Sequence, residues 1–252
     1  MAASLMYKDQ FSGLYKEILT PSRSLLKKDF LYSTYSYGDI FELAAGLGKT
    51  LSHCGREKTV CLCTENKALV AAGVLAALTC ACRLILPYSF SRNALLEMRE
   101  AAGFDAAVTD HPEEMPAGVE IIEPSRVSTA AGAPEIVRDP DDPFLCLFTG
   151  GSTGKPRVWS KSPRNLLMEA FYLQEKFGIA ENDLFISTAP PYHIYGLLFS
   201  VLLPFTARAQ VLPEIYTFPQ EIISTVNERK ATILVSVPIH YRALKVENLS
   251  LP

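Results

Sequence analysis

One short stretch of the chain combines glycines, hydroxyls and cations in a pattern that suits phosphate binding. An apolar run is followed directly by Thr149, Gly150, Gly151, Ser152, Thr153, Gly154, Lys155, Pro156 and Arg157. Glycine lets the backbone approach an anion, the hydroxyls donate hydrogen bonds, and the two cations balance negative charge. Phosphate is the ligand that uses all of these together. The sequence therefore predicts a phosphate-binding loop at residues 149–157.

Two familiar phosphate loops do not fit this stretch. The Walker pattern requires glycine five residues before Gly154, where Thr149 stands, and Ser or Thr after the lysine, where Pro156 stands. The dinucleotide fingerprint also fails, because it requires glycine at Thr149 ahead of Gly151 and Gly154. The loop is therefore of another kind.

A serine hydrolase is an alternative, because the loop also contains the nucleophile-elbow pattern Gly-x-Ser-x-Gly after a strand. The elbow residues would be Gly150, Ser152 and Gly154, with Asp183 as the acid and His193 or His240 as the base. An elbow opens directly into a helix, however, and Pro156 and Pro163 delay helix formation here. A surface turn without function is the remaining interpretation of the stretch.

Short apolar strands alternate with helices along most of the chain. The pattern predicts helices at 37–54, 67–79, 92–102, 163–177, 194–205 and 218–229, with another beginning at Ile239. It predicts strands at 59–64, 83–88, 106–109, 119–122, 143–149, 184–188, 209–212 and 232–237. This alternation is typical of an α/β fold, here two αβ layers with mainly parallel sheets flanked by helices.

A proline-rich segment at 111–142 interrupts the alternation. It predicts a boundary between an N-terminal α/β subdomain, residues 1–138, and a second α/β subdomain, residues 139–252, which carries the phosphate loop. The last residues close no further element, so we expect the second subdomain to be truncated at its C-terminal end.

Composition favours a globular protein that binds small molecules. Of 252 residues, 48% are hydrophobic and 20% charged, and the net charge of −3 comes from 24 basic and 27 acidic residues without a basic block. No nucleic-acid partner is expected from this balance. The sequence has no signal-peptide core and no apolar run of about 20 residues, so we expect no membrane span and a cytoplasmic location.

Six cysteines lack the two-residue spacing of zinc and redox motifs. Cys61 and Cys63 alternate within an apolar strand, so their side chains share one face. We expect the cysteines to be buried reduced thiols, with no metal site.

The loop closely resembles the phosphate loop of the adenylate-forming (AMP-binding) superfamily, which usually reads Thr-Ser-Gly-Thr-Thr-Gly-x-Pro-Lys. Gly150, Ser152 and Arg157 are conservative departures from that pattern. The segment from Pro190 through His193 to Gly196 is similar to the family's Pro-x-x-His-x-x-Gly.

Weaker likenesses extend the resemblance over residues 30–252; they lie at 35–40, 64–66 and 232–238. The family's Gly-Val is replaced by Val158-Trp159, and its histidine by Pro163, with Lys161 nearby.

The resemblance implies an ATP-dependent acid–thiol ligase. Such an enzyme adenylates a carboxylic acid and passes the acyl group to CoA or to the phosphopantetheine of an acyl carrier protein, with Mg²⁺ as a further cofactor. By resemblance, the loop would hold the ATP phosphates, and His193, Tyr195 and Gly196 would form the acyl pocket. No catalytic residue and no metal ligand is assigned, and the other histidines, His53, His111 and His240, are expected to be structural.

The resemblance covers only the N-terminal portion of an acyl-CoA synthetase-like large domain. The family's adenine-binding segment, its Tyr-Gly-x-Thr-Glu magnesium motif and its C-terminal domain find no counterpart before Pro252. We therefore expect an N-terminal fragment that is inactive alone. A non-catalytic nucleotide- or acyl-binding module is the alternative outside enzymes.

Overall fold

Two mainly parallel sheets form the framework of the protein. The structure is a computed structural model that describes residues 11, 13–53, 58–80, 82–127, 129–130, 138–149 and 157–246. The strands are β1 Asp29–Leu31, β2 Tyr35–Ser36, β3 Thr59–Cys63, β4 Arg83–Leu86, β5 Ala106–Thr109, β6 Glu120–Ile122, β7 Leu145–Thr149, β8 Arg157–Lys161, β9 Leu184–Ser187, β10 Gln210–Ile215 and β11 Ile233–Val235.

Helices connect most of these strands. A helix here labelled α1 covers residues 13–19. The others are α2 Arg23–Leu26, α3 Tyr37–His53, α4 Lys67–Thr79, α5 Arg92–Ala102, α6 Pro163–Phe177, α7 Ile194–Leu197, α8 Leu203–Thr206, α9 Pro219–Arg229 and α10 Pro238–Val246. The predicted α/β class with mainly parallel sheets is confirmed.

The two sheets draw on interleaved parts of the chain. One has the order β6-β5-β3-β4-β7-β8, and the other β11-β9-β10-β1-β2. Within each sheet the pairs are parallel except at one edge, where β8 is antiparallel to β7 and β2 to β1. The predicted boundary at residue 138 therefore does not separate the sheets. Strands β7 and β8 belong with β3–β6, whereas β1 and β2, at the start of the chain, join β9–β11.

Helix α4 lies between the two sheets and is buried on every side. Its N-cap is Asn66, whose Oδ1 accepts hydrogen bonds from the N–H groups of Ala68 and Leu69 at 2.8 and 3.3 Å. Gly73 allows it to approach β3, because a Cβ there would lie 2.7 Å from the Leu62 Cδ2. A helix buried all round shows no amphipathic stripe, which is why only its apolar length predicted it.

Lys67, in the first turn of α4, links this helix to the five-stranded sheet. Its Nζ is buried and donates to the carbonyl oxygens of Leu212 and Glu214 at 2.6 and 2.7 Å. Burial lowers the pKa of its ammonium to about 7, against a smaller opposing effect of the Glu214 carboxylate.

Several short elements were not predicted from the sequence. They are β1, β2, β8, α1 and α2, and their polar residues mask any regular apolar period. The expected single helix at 194–205 contains a π-helical turn at Leu198–Leu202, in which the Leu203 N–H donates to the Leu198 carbonyl. Pro204 follows this turn and has no N–H to continue an α-helical ladder.

Candidate functional site

The carboxyl ends of the five-stranded sheet open onto a cavity of about 530 Å³. Its described lining residues are Glu65, Thr188, Ala189, Pro190, His193, Tyr195, Gly196, Ile215, Thr217, Val237 and His240. They lie at the carboxyl end of β10 or in the segments that follow β3, β9, β10 and β11, and in parallel sheets these are the places where ligands bind. The three residues expected in an acyl pocket, His193, Tyr195 and Gly196, all lie on this wall.

His193 is the N-cap of α7 and is half-buried. Its backbone N–H donates to the Pro190 carbonyl at 3.3 Å. Burial lowers the pKa of its imidazole below the ordinary 6.5, because desolvation disfavours the charged form. At neutral pH the ring is therefore uncharged, with one nitrogen as donor and the other as acceptor.

Gly196 is required by a close approach of two backbone segments. A Cβ at this position would lie 1.8 Å from the carbonyl oxygen of Pro190, with no flexible side chain to give way. The Pro-x-x-His-x-x-Gly spacing thus has a structural cause: the glycine lets α7 fold back over the proline and brings the intervening His193 to the cavity.

Hydrogen bonds join the segment after β9 to the end of β11. The Tyr195 Oη donates to the Ser236 carbonyl at 3.0 Å, and the hydroxyls of Thr188 and Ser236 lie 3.0 Å apart. The Ser187 Oγ also donates to the Ala189 carbonyl at 3.0 Å. These bonds hold one wall of the cavity in a defined shape.

A row of aromatic side chains links this cavity to the six-stranded sheet. The Tyr192 ring lies 4.6 Å from the His193 ring and 4.4 Å from the Phe90 ring, which follows β4. Two residues before Phe90, the centroid of the Tyr88 ring lies 6.5 Å from that of Phe148 on β7. The carboxyl ends of both sheets therefore face one cleft, with the base of the predicted phosphate loop at its far end.

The predicted phosphate loop connects the two strands of a hairpin. Strands β7 and β8 pair antiparallel from Leu145↔Lys161 to Thr149↔Arg157. Gly150, Gly151, Ser152, Thr153, Gly154 and Lys155 lie outside the described residues, between these strand ends. The hairpin places both ends of the loop at the carboxyl end of β7, and the Arg157 side chain is exposed there.

This topology contradicts the serine-hydrolase alternative. Strand β8 follows the loop, whereas a nucleophile elbow requires a helix. Asp183 lies at the amino end of β9, where it accepts from the Thr232 hydroxyl at 2.7 Å and the Ala180 N–H at 2.8 Å. His193 and His240 follow the carboxyl ends of β9 and β11, roughly 13 Å away along four strand residues. No Ser152–His–Asp183 triad can form.

The cavity wall also contains residues that the sequence analysis did not assign to the acyl pocket. His240, expected to be structural, lines the cavity, as do Thr188 and Glu65. Their only sequence signal was position: Thr188 is the last residue of a predicted strand, and Glu65 and His240 each follow a predicted strand within three residues. His111 instead contacts the Phe90 ring at 5.3 Å, and the side chain of His53 lies outside the described residues.

A second groove, of about 950 Å³, lies between α1, α6 and α8, away from the strand ends. Leu14, Met168 and Phe205 are among its walls. It brings together none of the predicted site residues, so its larger volume does not make it the better candidate.

The described cysteines are free thiols, as expected. Cys61, Cys63, Cys80 and Cys82 are buried, and Cys146 is half-buried; Cys54 lies outside the described residues. Across the described ranges no three His, Cys, Asp or Glu side chains gather as a metal site. In the same part of the chain, none of the helices has the length and apolarity that crossing a bilayer demands.

The fold and the strand-end cleft define an α/β protein with a candidate ligand-binding edge, and comparison with known proteins identifies the family. Residues 20–252 match the family described as AMP-binding enzyme, so the chain belongs to it. The resemblance stated from the loop and the His193 segment is confirmed at this level.

The curated relatives that match include CoA ligases. An acyl-CoA ligase, SID4, of Ajellomyces capsulatus is 28% identical over 106 residues, which is 42% of this chain and 18% of that protein. A crotonobetaine/carnitine–CoA ligase of Escherichia coli is 29% identical over 111 residues, 44% of this chain and 21% of that protein. The aligned stretches thus cover about one fifth of the relatives' lengths.

Solved structures show the same fold. The o-succinylbenzoate CoA synthetase of Bacillus subtilis, in complex with its acyl-adenylate intermediate, has a TM-score of 0.76 at 19% identity, covering 88% of this chain and 61% of that chain. ATP-bound MatB of Rhodopseudomonas palustris has a TM-score of 0.77 at 21% identity, covering 92% of this chain and 50% of that chain.

Proposed function

We propose that this chain is the acid- and phosphate-binding part of a ligase that adenylates a carboxylic acid and transfers the acyl group to a thiol. The observation that carries the proposal is the shared cleft. Its cavity, lined by His193, Tyr195 and Gly196, and the hairpin ends that flank the predicted phosphate loop lie along one edge formed by the carboxyl ends of both sheets. An acid in the cavity and ATP on the loop would then face each other.

The reaction proceeds in two steps. A carboxylate oxygen attacks the α-phosphorus of ATP, and the bond from this phosphorus to the oxygen that bridges it to the β-phosphorus breaks. Pyrophosphate departs, and the acyl-adenylate remains. A thiol sulfur then attacks the acyl carbon, AMP leaves, and the thiol proton passes to solvent or a base. The first step gathers negative charge on phosphoryl oxygens, and the second gathers it on the acyl carbonyl oxygen and then on the phosphate of the departing AMP. Fixed donors and cations therefore supply much of the stabilisation.

Residues 149–157 would bind the β- and γ-phosphates. Lys155 and Arg157 supply positive charge, the hydroxyls of Thr149, Ser152 and Thr153 donate, and the glycines admit the phosphates to the backbone N–H groups. The antiparallel pairing of β7 and β8 supports this assignment, because it fixes both ends of the loop against the sheet.

His193 and Tyr195 would position the acid. A neutral His193 donates one hydrogen bond to a carboxylate oxygen without forming a tight ion pair, which would weaken the oxygen as a nucleophile. Tyr195 is held by the Ser236 carbonyl, so its ring forms a fixed wall beside the acyl chain.

Of the implied cofactors, ATP and a CoA or phosphopantetheine thiol are reactants. Mg²⁺ bound to ATP would neutralise phosphate charge. The described residues offer no cluster of three possible metal ligands, so they supply no cage for the metal and no step is assigned to it. The names of the curated relatives favour CoA as the acceptor. An acyl carrier protein is the second candidate.

We further propose that the 252-residue chain binds reactants but does not release pyrophosphate alone. The two structures described above extend well past the part that it matches, since it covers 61% and 50% of them. A pyrophosphate-release assay on the isolated chain checks this. Steady release at a rate that scales with protein concentration would contradict it.

Titration calorimetry with ATP tests the phosphate loop. The variant Lys155→Ala with Arg157→Ala removes two charge-assisted contacts and should weaken ATP binding by roughly 10- to 100-fold. The matched control is Arg23→Ala with Lys27→Ala, which removes one exposed cation from α2 and another from its C-cap, outside the cleft. Equal ATP affinities for the loop variant and the control would refute the assignment.

A further inference from the structure

The described wall of the 530 Å³ cavity carries negative but no positive formal charge at neutral pH. Among its described lining residues, Glu65 is the only carboxylate, and none is lysine or arginine. Glu65 follows β3 and is exposed at the mouth of the cavity. The remaining lining is apolar, hydroxyl or imidazole. A ligand that enters this cavity therefore meets one fixed negative group.

Tyr192, in the segment after β9, lies close to the Glu65 carboxylate. The pKa of the Tyr192 hydroxyl is raised by burial first and then by the nearby Glu65 carboxylate, whose negative charge disfavours a phenolate. The Tyr192 ring is itself fixed between Phe90 at 4.4 Å and His193 at 4.6 Å. The Glu65 carboxylate therefore lies beside the segment that forms the acid-binding wall.

Among the residues that the structure describes, neighbouring cations do not cancel this charge. The Lys67 ammonium, two residues away, is buried and directed to the carbonyls of Leu212 and Glu214, with the Glu214 carboxylate as its acidic neighbour. His193 is uncharged at neutral pH because burial lowers the pKa of its ring. The field of Glu65 therefore acts on whatever occupies the cavity.

The aromatic rings nearby would favour the same sign of ligand charge. The face of an aromatic ring attracts cations, and an ammonium group between a carboxylate and tyrosine rings gains from both. Tyr195 lines the cavity and Tyr192 carries the Glu65 contact. A second carboxylate at the end of an acyl chain would instead be repelled.

We infer that Glu65 is a specificity-determining residue that selects acids whose chain ends in a cationic group, then those with an uncharged end, over dicarboxylates. The inference rests on the proposed function, because it takes the cavity to be the acyl pocket. It concerns the substrate class of that pocket and not the chemistry of adenylation.

Three acids of equal chain length test the selection: 6-aminohexanoate, hexanoate and adipate. Their dissociation constants for the chain are measured by ligand-detected NMR at pH 7 and low salt, and we expect that order of decreasing affinity. A charge pair at a partly exposed site changes a binding constant by roughly two- to fivefold. The end groups of 6-aminohexanoate and adipate differ by two charges, so Glu65→Gln should lower the ratio of the affinity for 6-aminohexanoate to that for adipate by about four- to 25-fold.

Glu228→Gln, an exposed glutamate on α9, is the matched control and should leave the ratio unchanged. Glu65→Lys should reverse the order of the outer two acids. If hexanoate binds and the ratio is the same in wild type, Glu65→Gln and Glu65→Lys, the charge selection is wrong while the acyl pocket stands. If none of the three acids binds, the pocket assignment fails and the inference falls with it.

Discussion

Replacing Gly196 by alanine is the sharpest single test of how the His193 segment is built. The new Cβ would lie 1.8 Å from the Pro190 carbonyl oxygen, so the two segments would have to separate by roughly 1.2 Å to reach the 3.0 Å below which Cβ contacts are essentially never seen. Both partners are backbone, and side-chain rotation cannot relieve the clash. The shift would also break the 3.3 Å hydrogen bond from the His193 N–H to Pro190.

The expected cost combines opposing terms. Overpacking of this kind costs typically about 1–3 kcal/mol, and a backbone collision belongs at the upper end. Alanine in place of helical glycine returns up to about 1 kcal/mol. We therefore expect Gly196→Ala to lower the free energy of unfolding by about 2 kcal/mol. For a chain of this size that corresponds to a fall in Tm of roughly 4–8 °C.

Thermal unfolding followed by circular dichroism measures this change. Gly13→Ala is the matched control, because Gly13 is also helical and a Cβ there meets nothing within 4 Å. The control should be neutral or slightly stabilising. If Gly196→Ala unfolds at or above the wild-type temperature, the close approach to Pro190 is not a constraint on the fold, and the explanation of the Pro-x-x-His-x-x-Gly spacing is wrong.

Two further predictions concern pH. Burial lowers the pKa of Lys67 to about 7 from its ordinary 10.5, so between these pH values the unfolded chain keeps a proton that the folded protein releases. The free energy of unfolding should therefore rise with pH in this range, by up to about 1.4 kcal/mol per pH unit. Lys67→Met should lose this rise, as measured by urea unfolding at pH 7 and 9. If the free energy of unfolding changes equally with pH in wild type and Lys67→Met, the Lys67 ammonium is not destabilised by burial. Burial likewise lowers the pKa of His193, so acidification below pH 6.5 should destabilise wild type more than His193→Gln, and equal acid sensitivity would count against a desolvated ring.

Elements with strong local signals were predicted closely. The apolar run of α4 and its N-cap Asn66 are adjacent in the sequence, and the observed bounds Lys67–Thr79 agree with the prediction. The start of α6 at Pro163 agrees as well, since Ser162 and Asn165 form a capping box around that proline. Where a short stretch satisfies its own backbone donors, the sequence is enough to locate the element.

Elements stabilised mainly by distant partners were missed. β8 pairs with β7 and has mostly exposed side chains, so it shows no buried alternation in sequence. β1 pairs with β10, about 180 residues later, and only that pairing makes it a strand. The boundary drawn at 138 followed the prolines of one segment, whereas the division into sheets follows hydrogen bonds between remote segments.

For the candidate site, the sequence predicted some of the residues on the cavity wall but not all of them. The placement of His193, Tyr195 and Gly196 on one cavity agrees with the resemblance to the AMP-binding family, while their role in binding an acid stays a prediction, as does the role of the 149–157 loop. His240 was expected to be structural and lies on the cavity wall. A lone histidine carries no local sign of what faces it.

The sequence by itself determined the α/β class, the family and the residue types of the phosphate loop, because these depend on periodicity, capping and spacing within short stretches. Only the tertiary structure decided that the two sheets interleave along the chain and that their carboxyl ends share one cleft. It also decided that Glu65, Tyr192 and His193 are neighbours, although Glu65 is remote from the other two in sequence. The physical reason is that strand pairing and helix burial act between segments far apart in the chain, and no local pattern encodes which segments will meet.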